Sequence, residues 1–280
     1  RALLQAQADL LADDNADPAF VAECLTLPDI WDISSNQARI DIDALWEMRE
    51  RVLSLFAHEQ KDALVARYEA LAEASQQGLD GASAGARSLR HVCLKYLARV
   101  EKQGDRAVAH YDNATTLTER MAAMATLVHS GLPQADVVLA DFARKYRGNT
   151  LLVDKWLSLV VSAPRLSITE TVKTLIGSPY WQTTNPNRVR AILGTFARNN
   201  SVAFHRIDGE GYRIFFEQLP VLDAINPQVA ARHLGILENW YRLDDVRRDQ
   251  LAKHMDALAE KLASRDSREV LTRLRNACAG

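Results

Sequence analysis

The 280-residue chain predicts an all-α fold, a superhelical α-solenoid of stacked helix pairs of the armadillo/HEAT type. Three observations carry that expectation. Apolar residues recur at spacings of three and four, which places them on one side of a helix, and no stretch alternates strictly with period two. Helix-start signals, a capping side chain or an N1 proline ahead of an apolar run, also return along the whole chain.

Taken in order, Arg1 to Gln7 already reads as the middle of a helix, and the chain opens without Met, so a fragment of a longer polypeptide is expected. Asp17-Pro18 starts the next helix. Leu27 to Asp32 reads as non-helical, with Trp31 placed to pack under a neighbour. Leu45, Met48, Val52, Leu55 and Phe56 define the apolar face of a long helix. The glycine-rich stretch 76–85 separates a region ending near Ser75 from a helix at Arg87, and 76–86 is the candidate internal joint. Further starts fall at Asn113, Leu132-Pro133, Asn149-Thr150, Ser167, Asn185-Pro186, Asp208, Asn226-Pro227, Asp244 and Ser267. Leu251, Met255, Leu258 and Leu262 mark one late helix face. From Pro133 onward the starts are roughly 17 to 23 residues apart, so a helix pair takes about 40, the size of an armadillo or HEAT repeat. One such pair has too little apolar face to stand alone; stacking buries a continuous core. Residues 1–280 are therefore expected to form one helical solenoid domain.

Composition narrows the function. With 34 basic and 36 acidic residues mixed along the chain, no broad field marks a nucleic-acid or anionic-membrane partner. Apolar runs such as Leu151 to Val153 are too short to span a bilayer. Cys24, Cys93 and Cys278 form no C-x-x-C pair, and a cytoplasmic, reducing setting fits them.

Catalytic patterns are missing. A zincin needs two His one helical turn apart with a Glu beside the first, so that both imidazoles reach one metal. The nearest approach, His58-Glu59-Gln60-Lys61-Asp62, has Asp62 in place of the second His and reads as a helix end with solvated charges. His91, His110, His129, His205, His233 and His254 stand singly and read as surface or partly buried structural residues. Asp208-Gly209-Glu210-Gly211-Tyr212 follows no strand and reads as a tight turn whose Asp208 caps a helix from Tyr212 to Leu219. No catalytic residue, metal ligand or cofactor is expected in this chain.

Several words then carry a resemblance. Asn185-Pro186-Asn187-Arg188-Val189-Arg190 through Ala197, Ala203-Phe204-His205, Asp208 to Tyr212, and Asn226-Pro227-Gln228-Val229-Ala230-Ala231-Arg232 stand in the order seen at the end of bacterial aminopeptidase N. Gly85 to Leu97 resembles a segment of the same family, with Ala86 in place of Arg and His91 in place of Asn. Asn113 to Ala123 and Lys155-Trp156 fit as well. The likeness is strong from Gly85 onward and weak over Arg1 to Ser75.

The resemblance implies the C-terminal helical domain of a zinc aminopeptidase of the membrane alanyl aminopeptidase type. The H-E-x-x-H and G-x-M-E-N motifs that supply the chemistry in that family are not in this sequence. By resemblance, the domain closes the chamber over the catalytic and N-terminal domains, restricts access, and helps hold peptide substrates. Zinc would belong to the parent enzyme. Arg190 and Arg232 match chamber-facing positions able to meet a peptide's carbonyls or terminal carboxylate, where a planar guanidinium bonds a carboxylate bidentately. Arg188 reads equally as a structural ion pair. Periodicity alone equally supports a free-standing helical-repeat scaffold that binds a peptide or protein in its concave groove.

Overall fold

The computed structural model describes residues 2–101 and 104–277, so Arg1 and Cys278 lie outside the described residues. Among those described the chain is all-α, with an isolated backbone bridge between Ile40 and Leu243 as its only β-type pairing. No helix of the described residues is long and apolar enough to cross a membrane. Two compact units form: Arg1–Ile33 with Trp46–Arg144, and Ser34–Leu45 with Lys145–Gly280. The stretch 76–86 lies inside the first.

The first unit is built from α1 (Ala2–Ala12), α2 (Pro18–Leu25), α3 (Ile30–Ile33), α4 (Ile42–Glu59, from Trp46), α5 (Lys61–Ala70), α6 (Gly81–Val100), α7 (Asp105–Asp112), α8 (Leu117–His129) and most of α9 (Ala135–Tyr146). Asp17 caps α2, taking the Phe20 N–H at 2.9 Å, with Pro18 at N1. The centre is α6, on which α2, α5 and α8 pack. Leu89, Cys93, Leu94, Tyr96 and Leu97 are buried there, and the Tyr96 hydroxyl donates to Leu25 O at 2.7 Å.

Four expectations change in this unit. Helix α6 begins at Gly81, not Arg87: Asp80 accepts the Ser83 N–H at 3.0 Å, and the small residues that suggested a loop form its first turns. Gly85 lets α2 approach, since a Cβ there would lie 3.1 Å from Ala19 N. The Leu27–Asp32 stretch is only partly irregular, because Asp29 takes the Trp31 and Asp32 N–H groups and starts the single turn of α3, leaving Trp31 half-buried. Asn113 ends α7; the start belongs to Thr116, whose capping box with Glu119 opens α8. On α4 the buried face is Leu45, Leu53, Phe56 and Ala57, while Met48 and Leu55 are exposed. Apolar residues occur all round that helix, so spacing alone gave the helix without its inward side.

The second unit holds α10 (Thr150–Val161), α11 (Ile168–Ile176), α12 (Pro186–Val189), α13 (Thr195–Asn199), α14 (Ser201–Phe204), α15 (Glu210–Ile225), α16 (Pro227–Leu234), α17 (Asp245–Ala259) and α18 (Arg265–Asn276). A π-helical turn, Arg190–Gly194, joins α12 to α13 as one continuous rod. Phe204 is the hub of an aromatic core, edge-on to Phe196, Tyr212 and Phe215 at centroid distances of 5.6, 5.3 and 5.5 Å. Leu251, Met255, Leu258 and Leu262 are buried, as their spacing predicts. The α18 cap is Ser264 rather than Ser267, whose N–H donates to Ser264 Oγ at 3.2 Å. The ladder Ile40 N–H to Arg242 O, 2.7 Å, ties the segment before α4 to this unit.

Candidate functional site

Two Asn-Pro starts place the arginines singled out by sequence. Asn185 accepts the N–H groups of Asn187 and Arg188 at 3.1 and 3.3 Å, and Asn226 accepts that of Val229 at 3.3 Å. Pro186 and Pro227 occupy the first helical positions, where a missing N–H costs nothing. The first cap fixes the rod that carries Arg188 and Arg190; the second fixes α16, which carries Arg232 in its last turn.

The three arginines separate clearly. Arg188 is buried, its Nε 2.6 Å from Asp154 Oδ1 on α10 and its Nη1 donating to Tyr180 O at 3.4 Å, so it is a structural ion pair. Arg190 and Arg232 are exposed. Arg190 donates to Asn187 Oδ1 at a long 3.4 Å, and among the described residues neither arginine pairs with a carboxylate.

Gly194 brings the two helices together. A methyl group there would sit 3.1 Å from His233 Nε2 and 3.5 Å from Arg190 Cγ, so the ring and the arginine stem flank one point. His233 Nδ1 lies 2.7 Å from Val229 O; a carbonyl only accepts, so Nδ1 carries the proton. Its Nε2 is then a bare acceptor, buried against Gly194 without a donor. Burial chiefly lowers the His233 pKa, and the Arg232 and Arg198 charges lower it further, against the hydrogen bond to Val229. The π-turn at Arg190–Gly194 spreads the local register, a feature frequent at functional sites. What the patch offers chemically is positive charge on a rigid frame.

The other sequence motifs are structural. Asp208 forms an ion pair with Arg206 and takes the Glu210 N–H at 3.2 Å, Gly209 adopts φ 75°, and the helix runs Glu210–Ile225, longer than expected and with Gly209 rather than Asp208 at its cap position. His58 and Glu59 are exposed at the end of α4. Among the described residues no group of three or more His, Cys, Asp or Glu is placed to hold a metal ion.

Sequence reading missed the pairing of His91 with His110, whose rings meet edge to face at 5.3 Å. It also missed the buried hydrogen bonds of His110 to Tyr68 (2.8 Å) and His205 to Tyr212 (2.7 Å). These partners are 19, 42 and 7 residues apart, and only the His205–Tyr212 word was local enough to be seen. A cavity of about 870 Å³ beside Tyr68 is lined by Arg90, Arg106, His110 and Glu119. Its charges largely satisfy one another: Arg106 binds Glu101 and Glu69, and Arg90 lies 3.7 Å from Glu119.

Residues 1–276 match the family described as "Domain of unknown function (DUF3458_C) ARM repeats". The chain belongs to this ARM-repeat family. The ARM-repeat domain matches the C-terminal helical domain of aminopeptidase N. It is 34% identical over 251 residues to aminopeptidase N of Escherichia coli (strain K12), covering 89% of this chain and 29% of that protein. Aminopeptidase N of Haemophilus influenzae is 31% identical over 239 residues, 84% of this chain and 27% of its own length. Among solved structures, Legionella pneumophila aminopeptidase A in complex with aspartic acid superposes with a TM-score of 0.88 at 27% identity, over 98% of this chain and 33% of that one. The ARM-repeat domain therefore spans about a third or less of the length of these relatives.

Proposed function

We propose that this ARM-repeat domain is the non-catalytic C-terminal domain of a zinc-dependent aminopeptidase that releases N-terminal amino acids from peptides. It closes the catalytic chamber, restricts access to it, and receives the carboxyl side of the peptide on Arg190 and Arg232. The observation that carries this reading is coverage: nearly the whole chain aligns with proteins named aminopeptidase N, yet fills only 27–29% of them. The chemistry then belongs to the remainder. Zinc would be held there, together with the catalytic and N-terminal domains as partners in the same protein. The exposed and uncompensated state of Arg190 and Arg232 supports the substrate-facing role, since a guanidinium kept free of carboxylates is available to one that arrives with a ligand. Free Cys24 and Cys93 agree with a cytoplasmic setting.

Arg232→Ala in the enzyme that carries this domain is expected to raise KM for short peptides about tenfold, and to leave an aminoacyl anilide, which has no carboxylate, much less affected. Steady-state kinetics on the two substrates is the check. Equal effects on both would remove Arg232 from carboxylate binding.

A further inference from the structure

The cavity beside Tyr68 holds polar groups that the surrounding helices leave unfinished. Tyr68 on α5 is buried, and burial raises its pKa, so its hydroxyl keeps the proton and needs an acceptor. His110 Nδ1, 2.8 Å away on α7, is that acceptor. A neutral imidazole that accepts at Nδ1 carries its hydrogen on Nε2. At neutral pH the ring is neutral, because burial and then Arg90 push it down to about 4. His110 is 5% exposed and lines the cavity, and its Nε2 is buried without a hydrogen-bond partner. The cavity wall thus contains an N–H donor that lacks an acceptor.

Glu119, on the same wall, offers the opposite. It is 1% exposed, and its Oε2 accepts from Thr115 Oγ1 and Thr116 Oγ1 at 3.2 Å each and from the Thr116 N–H at 3.3 Å. Among the described residues its Oε1 accepts no hydrogen bond, and Arg90 Nη1 stands 3.7 Å away, beyond bonding reach. Arg90 is held there by its own partners: Nε donates to Tyr68 O at 3.3 Å, Nη1 donates to Ser75 Oγ at 3.1 Å, and the guanidinium lies 4.6 Å from the Tyr68 ring centre. The lining as a whole is acidic, with Arg90 and Arg106 set against Glu69, Glu101, Asp105 and Glu119. Arg106 is shared by Glu69 and Glu101, so carboxylates stay in excess. A buried carboxylate oxygen with a free lone pair in acidic surroundings calls for a cationic N–H donor, and the His110 N–H calls for an oxygen.

We infer that this cavity binds a small ammonium compound with a carbonyl oxygen beside its nitrogen, the ammonium donating to Glu119 Oε1 and the oxygen accepting from the His110 Nε2–H. The volume, about 870 Å³, falls within the range of small-molecule sites, which extends to roughly 1,000 Å³. The carboxylate excess favours a cation over an anion, and His110, being neutral, adds no charge to oppose it. Every lining residue belongs to the first unit, so the site is independent of the role proposed for Arg190 and Arg232.

The test is titration of the 280-residue chain at neutral pH with L-alaninamide, propionamide and isopropylamine, followed by calorimetry and by the His110 imidazole resonances. Propionamide lacks the ammonium group, and isopropylamine lacks the carbonyl. Expected is saturable binding of alaninamide, about tenfold tighter than propionamide and about fivefold tighter than isopropylamine, as one charged and one neutral hydrogen bond give. The first ratio shrinks as salt is raised. The His110 signal, assigned by its loss in His110→Gln, moves with the same midpoint. Glu119→Gln removes the charge and keeps the capping box, which Gln serves as Glu does, and in it alaninamide binds no tighter than propionamide. Either comparator binding the unaltered chain as tightly as alaninamide overturns the site, as does an unmoved His110 signal or an alaninamide preference that survives Glu119→Gln. If Glu119→Gln unfolds, the three-probe ratios and the His110 shift decide alone.

Discussion

At the scale of single residues, the first Asn-Pro word shows how one side-chain type meets two environments by its position. Arg188 and Arg190 are two residues apart on one rod, so they point to different sides: one enters the core against Asp154, the other stays in water. Removing Arg188 strands the Asp154 carboxylate, which is 13% exposed. Arg188→Ala is therefore expected to cost about 3–5 kcal/mol in denaturant unfolding, whereas Arg190→Ala and Arg232→Ala, on open surface, stay within about 0.5 kcal/mol. A loss below about 1 kcal/mol for Arg188→Ala would mean that water already screens the pair. Sequence left Arg188 undecided because its partner Asp154 is 34 residues away, a separation no local pattern encodes.

At the scale of elements, what was legible depended on whether the deciding contact is local. Asp17, Asn149, Asn185, Asn226 and Asp244 cap the helices their words announce, because each cap bonds an N–H within three residues of itself. Asn113 and Ser267 were misplaced by three residues, since a nearby Thr116 or Ser264 offered the better geometry. The start of α6 was missed for a tertiary reason: its small residues exist to admit α2 at Ala19, which composition reports only as a loop. Gly211 is the sharper case. A Cβ there would lie 2.2 Å from Phe204 O and 2.7 Å from Ala203 O, both backbone, so α14 and α15 cannot approach as they do with any larger residue. Gly211→Ala should lower stability by about 3 kcal/mol, the upper end of the usual range for overpacking. Gly81→Ala, in the first turn of α6 with open space around it, should instead be neutral or stabilise by up to about 1 kcal/mol. Thermal unfolding of the two variants decides the matter; a similar loss in both would show that helix propensity, and not the crossing, sets the cost.

At the scale of the whole molecule, the all-α class was legible because periodicity and caps repeat along the chain, while the family was legible only through the words the sequence shares with it. The same burial that makes each unit compact also sets how the protein responds to acid. In the first unit His91 is pushed down to about 3 by burial and then by the neighbouring His110, and His110 to about 4 by burial and then Arg90. In the second unit His205, bonded to Tyr212, is pushed to about 3 by burial and then by Arg247, with Asp244 opposing. All three shifts have the same sign. In the unfolded chain these imidazoles take up protons near 6.5, but the folded protein refuses them until about 3 to 4. Below about 6.5 the unfolded state binds more protons, so the stability these groups contribute is fully present above that pH and is lost as pH falls toward the folded values. Each histidine supplies a slope that approaches about 1.4 kcal/mol per pH unit once the unfolded chain is protonated. Urea unfolding between pH 7.5 and 5.0, above the range where most carboxylates titrate, should show stability falling with acid, and His205→Gln should make that fall shallower by up to one proton's worth even if it lowers stability at pH 7.5. A flat profile over that window would mean that the buried rings are already protonated or reached by water in the folded state, and would remove desolvation as the force that holds them neutral.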